Sequence, residues 1–391
     1  MNTNIIIKTS VSSKPAQAHD IAHLQNWIEL STSAVEHNAL QFKQWLGIST
    51  QIAGVIKSNA YGHGLIEMAT LYEQCKNIAA LCVINSSEAI CIRQRGITKP
   101  IFVIGYIDTL YDTIPQHDIQ VVLYDLQVAH ELNEIGKKYN KKINIHIKFD
   151  TGMSRLGIVA DQLETFVKQL VTLHWITIAG IFSHLAESYK SERTHNQESV
   201  FTIIEQLQAD QILPDNLAVH ISNSHGSLTT KHKNYSYARI GIGLYGYLQK
   251  HAPEIQTKLQ PVLSLKTKIL QIKSVVAGSL IGYDGMFQAP HDMTIATIAI
   301  GYHEGLDARL SNCGSVIING HFTPIIGRIC MNLTIIDITN ISGCRTGQVV
   351  TILGKEGDIS ISAYDWSAIT KASVYNHLTK LSNTLPKIIV L

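Results

Sequence analysis

Between residues 51 and 244, short runs rich in β-branched residues alternate with longer segments whose apolar residues recur at helical spacing. The runs lie at 51–57, 78–84, 101–104, 120–124, 142–149, 176–184, 218–222 and 239–244. Helix-length segments at 126–139, 162–173 and 197–209 stand between them. A strand reached through a helical crossover pairs parallel with its predecessor. Eight such strands in this length predict a (β/α)8 TIM barrel, with chemistry at the C-terminal ends of its strands.

Beyond Pro261 the helical spacing gives way to short apolar runs punctuated by glycine, at 263–272, 293–300, 315–318, 334–338 and 349–353. That texture predicts a mainly antiparallel β domain, with helical spacing returning at 363–381. The expected organisation is an N-terminal extension at 1–26, the barrel at 27–258 and the β domain at 259–391. Charged residues are only 16% of the chain and hydrophobic ones 45%, which suits a large core and a buried subunit interface. A net charge of +2 with no basic block gives no electrostatic case for nucleic acid as a partner. The six cysteines, Cys75, Cys82, Cys91, Cys313, Cys330 and Cys344, show neither a C-x-x-C pair nor zinc-like spacing. They read as reduced thiols, and no metal is expected. The apolar start at 5–7 is cut by Lys8, and no run approaches the ~20 apolar residues of a membrane helix. No membrane partner is expected, and a cytoplasmic location is.

Two strings place lysines where a barrel does chemistry. In Val55-Ile56-Lys57-Ser58-Asn59-Ala60-Tyr61-Gly62-His63-Gly64, a lysine closes an apolar strand and a glycine-containing loop follows. A strand-end lysine usually snorkels its amine to water. Desolvated at a barrel rim, it instead loses basicity and can form an imine with a carbonyl cofactor. The second string is Lys148-Phe149-Asp150-Thr151-Gly152-Met153-Ser154-Arg155-Leu156-Gly157. The strand before it alternates Ile143, Ile145 and Ile147 with Asn144, His146 and Lys148, and the polar set has to face the barrel interior. An inward lysine needs a partner, ordinarily an interior carboxylate, or must give up its charge. His184 closes the run at 176–184, a place where a histidine is more often structural than catalytic. His220-Ile221-Ser222-Asn223-Ser224 and Arg239-Ile240-Gly241-Ile242-Gly243 fall at the last two strands, where barrels commonly bind phosphate.

In this order the strings resemble the alanine racemase family, a family of pyridoxal-5'-phosphate enzymes built as a TIM barrel followed by a β domain. The lysine string is similar to V-K-A-N-A-Y-G-H-G, and the second to K-x-D-T-G-M-x-R-L-G. The resemblance runs from Trp27-Ile28-Glu29-Leu30 to Leu385-Pro386-Lys387. It implies that Lys57 is the Schiff-base residue and one of two catalytic bases. It makes Tyr61, Asn223, Ser224, Gly241, Ile242 and Tyr375 phosphate or cofactor contacts, with His184 stacked on the pyridine ring. Arg239 would face the pyridine nitrogen, where most such enzymes place a carboxylate. A guanidinium there does not give up its proton, so the ring is a poorer electron sink, which suits racemisation over transamination. Lys148, carbamylated, would hold Arg155 for the substrate carboxylate. Ile281-Gly282-Tyr283-Asp284-Gly285-Met286-Phe287 would carry the second base, Tyr283, into the partner subunit's site, so a homodimer is implied. A chain of hydrogen bonds from Tyr283 through His220 to Arg239 would assist it. Tyr302 and Met331 match substrate-access and substrate-contact positions.

The resemblance implies interconversion of L- and D-alanine, with D-alanine going to peptidoglycan. The chain departs from the family at Asn332 (aspartate is usual), His303-Glu304 (for Ala-Asp), Met286 (threonine), Ser58 (alanine) and Lys387 (arginine). Other readings stay open: a racemase for serine, lysine or a broad range, or a non-catalytic cofactor-carrying barrel. A decarboxylase on the same plan calls for a carboxylate in place of Arg239 and a catalytic cysteine segment, and neither is present.

Overall fold

The computed structural model describes residues 22–187, 191–229, 235–248 and 253–391; of the expected extension at 1–26, residues 1–21 lie outside these. The chain forms two compact units, Ser33–Val262 and a second built from 22–32 with Leu263–Leu391. The boundaries therefore differ from those expected at 26/27 and 258/259. The first strand, β1 (Asn26–Ser31), does not open the barrel. It pairs antiparallel with β10 (Leu263–Val275), Trp27 opposite Lys266 and Leu30 opposite Leu263, and parallel with β19 (Lys387–Val390). Trp27, Ile28 and Leu30 are fully buried in that sheet. Burial of this kind stabilises by about 1.5–3 kcal/mol per large apolar side chain, and it decides which unit keeps the strand.

The barrel strands are β2 (Gln51–Val55), β3 (Ile78–Asn85), β4 (Ile101–Tyr106), β5 (Gln120–Leu123), β6 (Ile143–Lys148), β7 (Ile176–Phe182), β8 (Ala218–His220) and β9 (Tyr237–Ile240). They lie in the order β8-β7-β6-β5-β4-β3-β2-β9, every pair parallel, as expected from the alternating pattern. The ends meet where Ser236 donates its N–H to Val219 and Arg239 donates its N–H to Ser222, both at 2.9 Å, so the barrel is nearly closed. The helix Leu126–Tyr139 starts at Asp125, whose carboxylate accepts from Gln127 and Val128, and stops at Asn140 in the left-handed region. The segment expected as one helix at 197–209 is two, Glu192–Ser199 and Thr202–Ala209. The link tightens into i→i−3 hydrogen bonds so that buried Phe201 can pack between Phe149 and Tyr235.

Along β6 the isoleucines are buried, and so are His146 and Lys148 on the opposite face. The interior holds Ala53, Val55, Ala80, Cys82 and Phe102, with Tyr237 against them. Small side chains on β2 and β3 leave room for the aromatic and polar ones contributed by β4, β6, β8 and β9.

In the second unit, β10 is central and pairs antiparallel with β1, β13 (Met293–Ile298) and β17 (Val349–Glu356). The sheet continues through β14 (Ser315–Ile318), β15 (His321–Ile326), β16 (Thr334–Asp337) and β18 (Ile359–Ile361). A small hairpin of β11 (Leu280–Ile281) and β12 (Phe287–Gln288) frames Tyr283. The helical stretch expected at 363–381 is broken at Lys371, which sits in the left-handed region between Ala363–Thr370 and Val374–Thr379. Among the described residues no helix is long and apolar enough to cross a membrane.

Candidate active site

Lys57 follows β2 directly, at the C-terminal rim of the barrel. Its chain then turns the unusual way: Ser58, Asn59, Ala60 and Tyr61 have φ of 57°, 52°, 50° and 56°. A left-handed turn of non-glycine residues costs about 1–2 kcal/mol each, so surrounding bonds have to hold it. Glu88 accepts the Ser58 N–H at 2.7 Å and the Ile84 N–H at 3.0 Å. The Asn59 side chain accepts the Leu65 N–H at 3.0 Å, and its carbonyl accepts from Gly62 and Gly64. The turn brings Tyr61 against β9, where a Cβ on Gly241 would lie only 2.5 Å from the Tyr61 hydroxyl oxygen. Burial, and the nearby charge of Arg155, hold the Lys57 amine below its usual range, with Glu88 opposing.

Arg239 is the hub. It is buried at the end of β9, and Nη1 donates to His220 Nδ1 at 2.7 Å and to the His220 carbonyl at 3.0 Å. Nη2 donates to the carbonyls of Ser183 (2.6 Å) and Ile221 (3.3 Å) and faces His184 Nδ1 at 3.2 Å. Every partner is neutral, and among the described residues no carboxylate pairs with it. Its Nε–H keeps no partner there. Burial lowers its pKa to about 10, so it remains a cation at neutral pH. Burial and the Arg239 charge push His184 and His220 well below the usual histidine range.

His220 also contacts His146, Nε2 to Nδ1 at 3.0 Å, and His146 Nε2 meets Gln120 Oε1 at 2.7 Å. The expected link between His220 and Arg239 is present. Both ring nitrogens of His220 are engaged within the barrel, Nδ1 by Arg239 and Nε2 by His146.

Lys148 is buried, its Nζ 4.4 Å from the centroid of the Phe182 ring. The interior carboxylate that would be its ordinary partner is not there: among the described residues no ion pair reaches it. Asp150, two residues on, instead accepts the N–H groups of Gly152, Met153 and Ser154. Burial, then the charges of Arg239 and Arg155, drive the Lys148 amine well below its usual range. The loop that leaves β6 closes on itself, with Asp150 N–H to Ile158 at 2.8 Å and Ile158 N–H to Lys148 at 2.9 Å, and carries Arg155 exposed at its tip. Buried Gln197 anchors the loop, donating to Thr151 Oγ1 at 3.1 Å and to the His184 carbonyl at 3.0 Å. At the last strands, Ser224 Oγ accepts the N–H groups of Gly241 (3.0 Å) and Gly243 (3.2 Å), beside buried Ile242. Asn223 accepts from His225 and Gly226 and caps the turn that follows.

The second unit groups its own candidates. Tyr283, Tyr302 and Met331 are 65%, 49% and 55% exposed. Asn312 ties their loops together, donating to the Met286 carbonyl (2.9 Å) and accepting the Gly327 N–H (2.6 Å). Tyr302 and His303 donate their N–H groups to Cys330 and Met331 at 3.0 and 2.9 Å. Tyr302 also lines an open cavity of about 640 Å³ with Asn376 and His377, on the helix that bears Tyr375. Burial raises the Tyr375 phenol to about 12.

A comparison with known families decides what these two halves are. The profile of the alanine racemase N-terminal domain matches residues 30–249, and that of the alanine racemase C-terminal domain matches 262–389. The chain belongs to the alanine racemase family. An alanine racemase of Syntrophobacter fumaroxidans is 34% identical over 342 residues, 86% of this chain and 90% of that protein. One from Methanococcus maripaludis is 34% identical over 371 residues, 93% of this chain and 98% of its own. The solved alanine racemase of Clostridium difficile 630 is similar with a TM-score of 0.85 at 29% identity, covering 94% of this chain and 96% of the other. That of Bacillus anthracis, solved with bound L-Ala-P, gives 0.82 at 29% identity over 94% and 95%.

Within this racemase-family chain, sequence reasoning missed Gln120, Glu88, Gln197 and Asn312. Each acts on a residue distant along the chain, and nothing in its local pattern marks it. His146 was legible as an inward-facing polar residue, but not as the neighbour of His220, 74 positions away.

Proposed function

We propose that this protein racemises alanine, interconverting its L- and D-enantiomers, with pyridoxal phosphate as cofactor and as a homodimer whose sites draw on both copies. Arg239 is the observation that carries the reading. A buried guanidinium surrounded by neutral acceptors, with Nε–H left over, fits an aromatic ring nitrogen as the missing acceptor. The surroundings fit the rest of that cofactor. Lys57 has the lowered amine basicity needed to meet an aldehyde. Tyr61, Asn223, Ser224, Gly241, Ile242 and Tyr375 would hold the phosphate arm, and His184 would lie on the ring face.

When bound, pyridoxal phosphate supplies a conjugated ring that takes up the charge left on the α-carbon. Arg239 keeps its own proton and limits how deeply that charge is stored, which favours proton return over transamination. Lys57 Nζ exchanges the α-proton on one face, from D-alanine, and Tyr283 of the second copy exchanges it on the other, from L-alanine. Arg155 pairs with the substrate carboxylate, and Met331 and Tyr302 bound the space for its side chain. Lys148, neutral in its apolar setting, can add to CO2 through Nζ; the new N–C bond and loss of one proton leave a carbamate anion able to hold Arg155. We place the enzyme in the cytoplasm, making D-alanine for peptidoglycan.

The test is α-proton washout in D2O, followed by NMR on cofactor-loaded protein with a panel of L-amino acids. Deuterium entering alanine together with D-alanine supports the reading. Washout chiefly in serine or lysine moves the substrate. Absence of exchange with every amino acid overturns it.

A further inference from the structure

The proposed chemistry leaves two interior polar residues without a task, His146 and Gln120. Their geometry is informative because the hydrogen-bonded chain has fixed ends. Arginine has only donors, so the 2.7 Å contact from Arg239 Nη1 requires a lone pair on His220 Nδ1. A neutral His220 then carries its proton on Nε2 and donates it to His146 Nδ1, 3.0 Å away. His146 must in turn be protonated on Nε2, which donates to Gln120 Oε1 at 2.7 Å. An amide oxygen only accepts, so the chain ends there. Turning the Gln120 amide round would require a lone pair on His146 Nε2, put a proton on Nδ1, and set two N–H groups against each other across 3.0 Å.

The walls reinforce this order. The Phe182 ring lies parallel to His220 at 4.9 Å and 2°, and Phe102 packs on His146 at 4.6 Å. Both imidazoles are buried, and the nearest strong charge on the chain is Arg239 itself, which disfavours a second cation. Burial, then Arg239, lowers His146 to about 3.

We propose that Gln120 and His146 are positioning residues that lock His220 in its Nε2–H tautomer and so hold Arg239 as a fully charged donor toward the cofactor ring. The proposal rests on the reading that Arg239 faces that ring. It also means that protons are ordered inward, from Arg239 to Gln120, with no ring nitrogen of His220 left for a tyrosine.

The experiment is 15N NMR on cofactor-loaded protein labelled at histidine, with signals assigned by single substitutions. Wild type should show Nδ1 unprotonated and Nε2 protonated for both His146 and His220. Gln120→Leu removes the final acceptor. It should redistribute the tautomers of both rings and lower kcat for alanine racemisation about tenfold, with KM within about twofold, the order seen when partners of ligand histidines are removed. An Nδ1–H tautomer at His220 in wild type would overturn the proposal. So would a Gln120→Leu protein with unchanged 15N patterns and unchanged kcat. Should that variant not fold, the wild-type spectrum decides alone. Wild-type protein with the expected tautomers but no alanine racemisation would overturn the functional reading and leave the tautomer lock standing.

Discussion

Asn332 donates its side-chain amide to Glu304, Nδ2 to Oε1 at 2.8 Å, while the other carboxylate oxygen accepts the Gly301 N–H, also at 2.8 Å. Both residues stand where the family usually has aspartate. Two carboxylates at that distance would repel, whereas an amide opposite a carboxylate bonds. The departures at 304 and 332 thus meet in one hydrogen bond, which joins the Tyr302 segment to the Met331 loop.

Asn332→Asp should replace that hydrogen bond by two facing carboxylates. Glu304 is only 8% exposed, so an uncompensated pair of carboxylates there should cost about 1–3 kcal/mol at neutral pH. The shared site would bind a proton more tightly folded than unfolded. The loss should therefore be largest at neutral pH and shrink as pH falls through the raised folded pKa. Thermal melting of variant and wild type from pH 4 to 8 checks this; a pH-independent difference would mean the pair is not the cause.

Lys57→Ala should remove covalent capture of pyridoxal phosphate. Borohydride treatment of wild type should fix the cofactor to the peptide containing Lys57, and the variant should show no such adduct by mass spectrometry. Racemisation should fall by a factor of about 10²–10⁴. An adduct at another lysine would reassign the site.

Tyr283→Phe should be asymmetric. Loss of the α-proton from L-alanine should slow by about 10²–10⁴, and loss from D-alanine far less, as measured by single-turnover exchange in D2O. Equal losses would place the second base elsewhere.

Lys148→Met tests a buried amine that has no carboxylate partner among the described residues. Its folded pKa lies well below the unfolded value near ~10.4, so the unfolded chain binds the extra proton. The resulting penalty is present below the folded pKa and fades as pH rises toward the unfolded one. In CO2-free buffer, Lys148→Met should be more stable than wild type by about 1–4 kcal/mol at low pH, and the gain should vanish near pH ~10. Bicarbonate should raise the melting temperature of wild type and leave the variant unchanged. A wild type that does not respond to bicarbonate would argue against carbamylation.

The barrel was legible because its signals are local. Hydrophobic periodicity located seven of the barrel strands closely; the last, expected at 239–244, runs Tyr237–Ile240 and gives way to a turn. The inward face of β6 followed from the alternation of isoleucines with Asn144, His146 and Lys148. The candidate residues at the strand ends were legible through strings of neighbouring residues. Strand β1 was not, because Trp27-Ile28-Glu29-Leu30 reads as a strand without naming its partner. Only β10, more than 230 positions away, supplies the edge on which it is buried.

By itself, the sequence determined which segments are strands, which lysines lie at their ends, and which family the ordered motifs point to; period and composition act over a few residues. The tertiary structure decided which partners those residues have. Arg239 sits among neutral acceptors, Lys148 lacks a carboxylate, and His220 is turned toward His146, because barrel closure brings β5, β6, β8 and β9 to one interior. Hydrogen bonds and charges act over a few ångströms of space, and only the folded chain sets which side chains come that close.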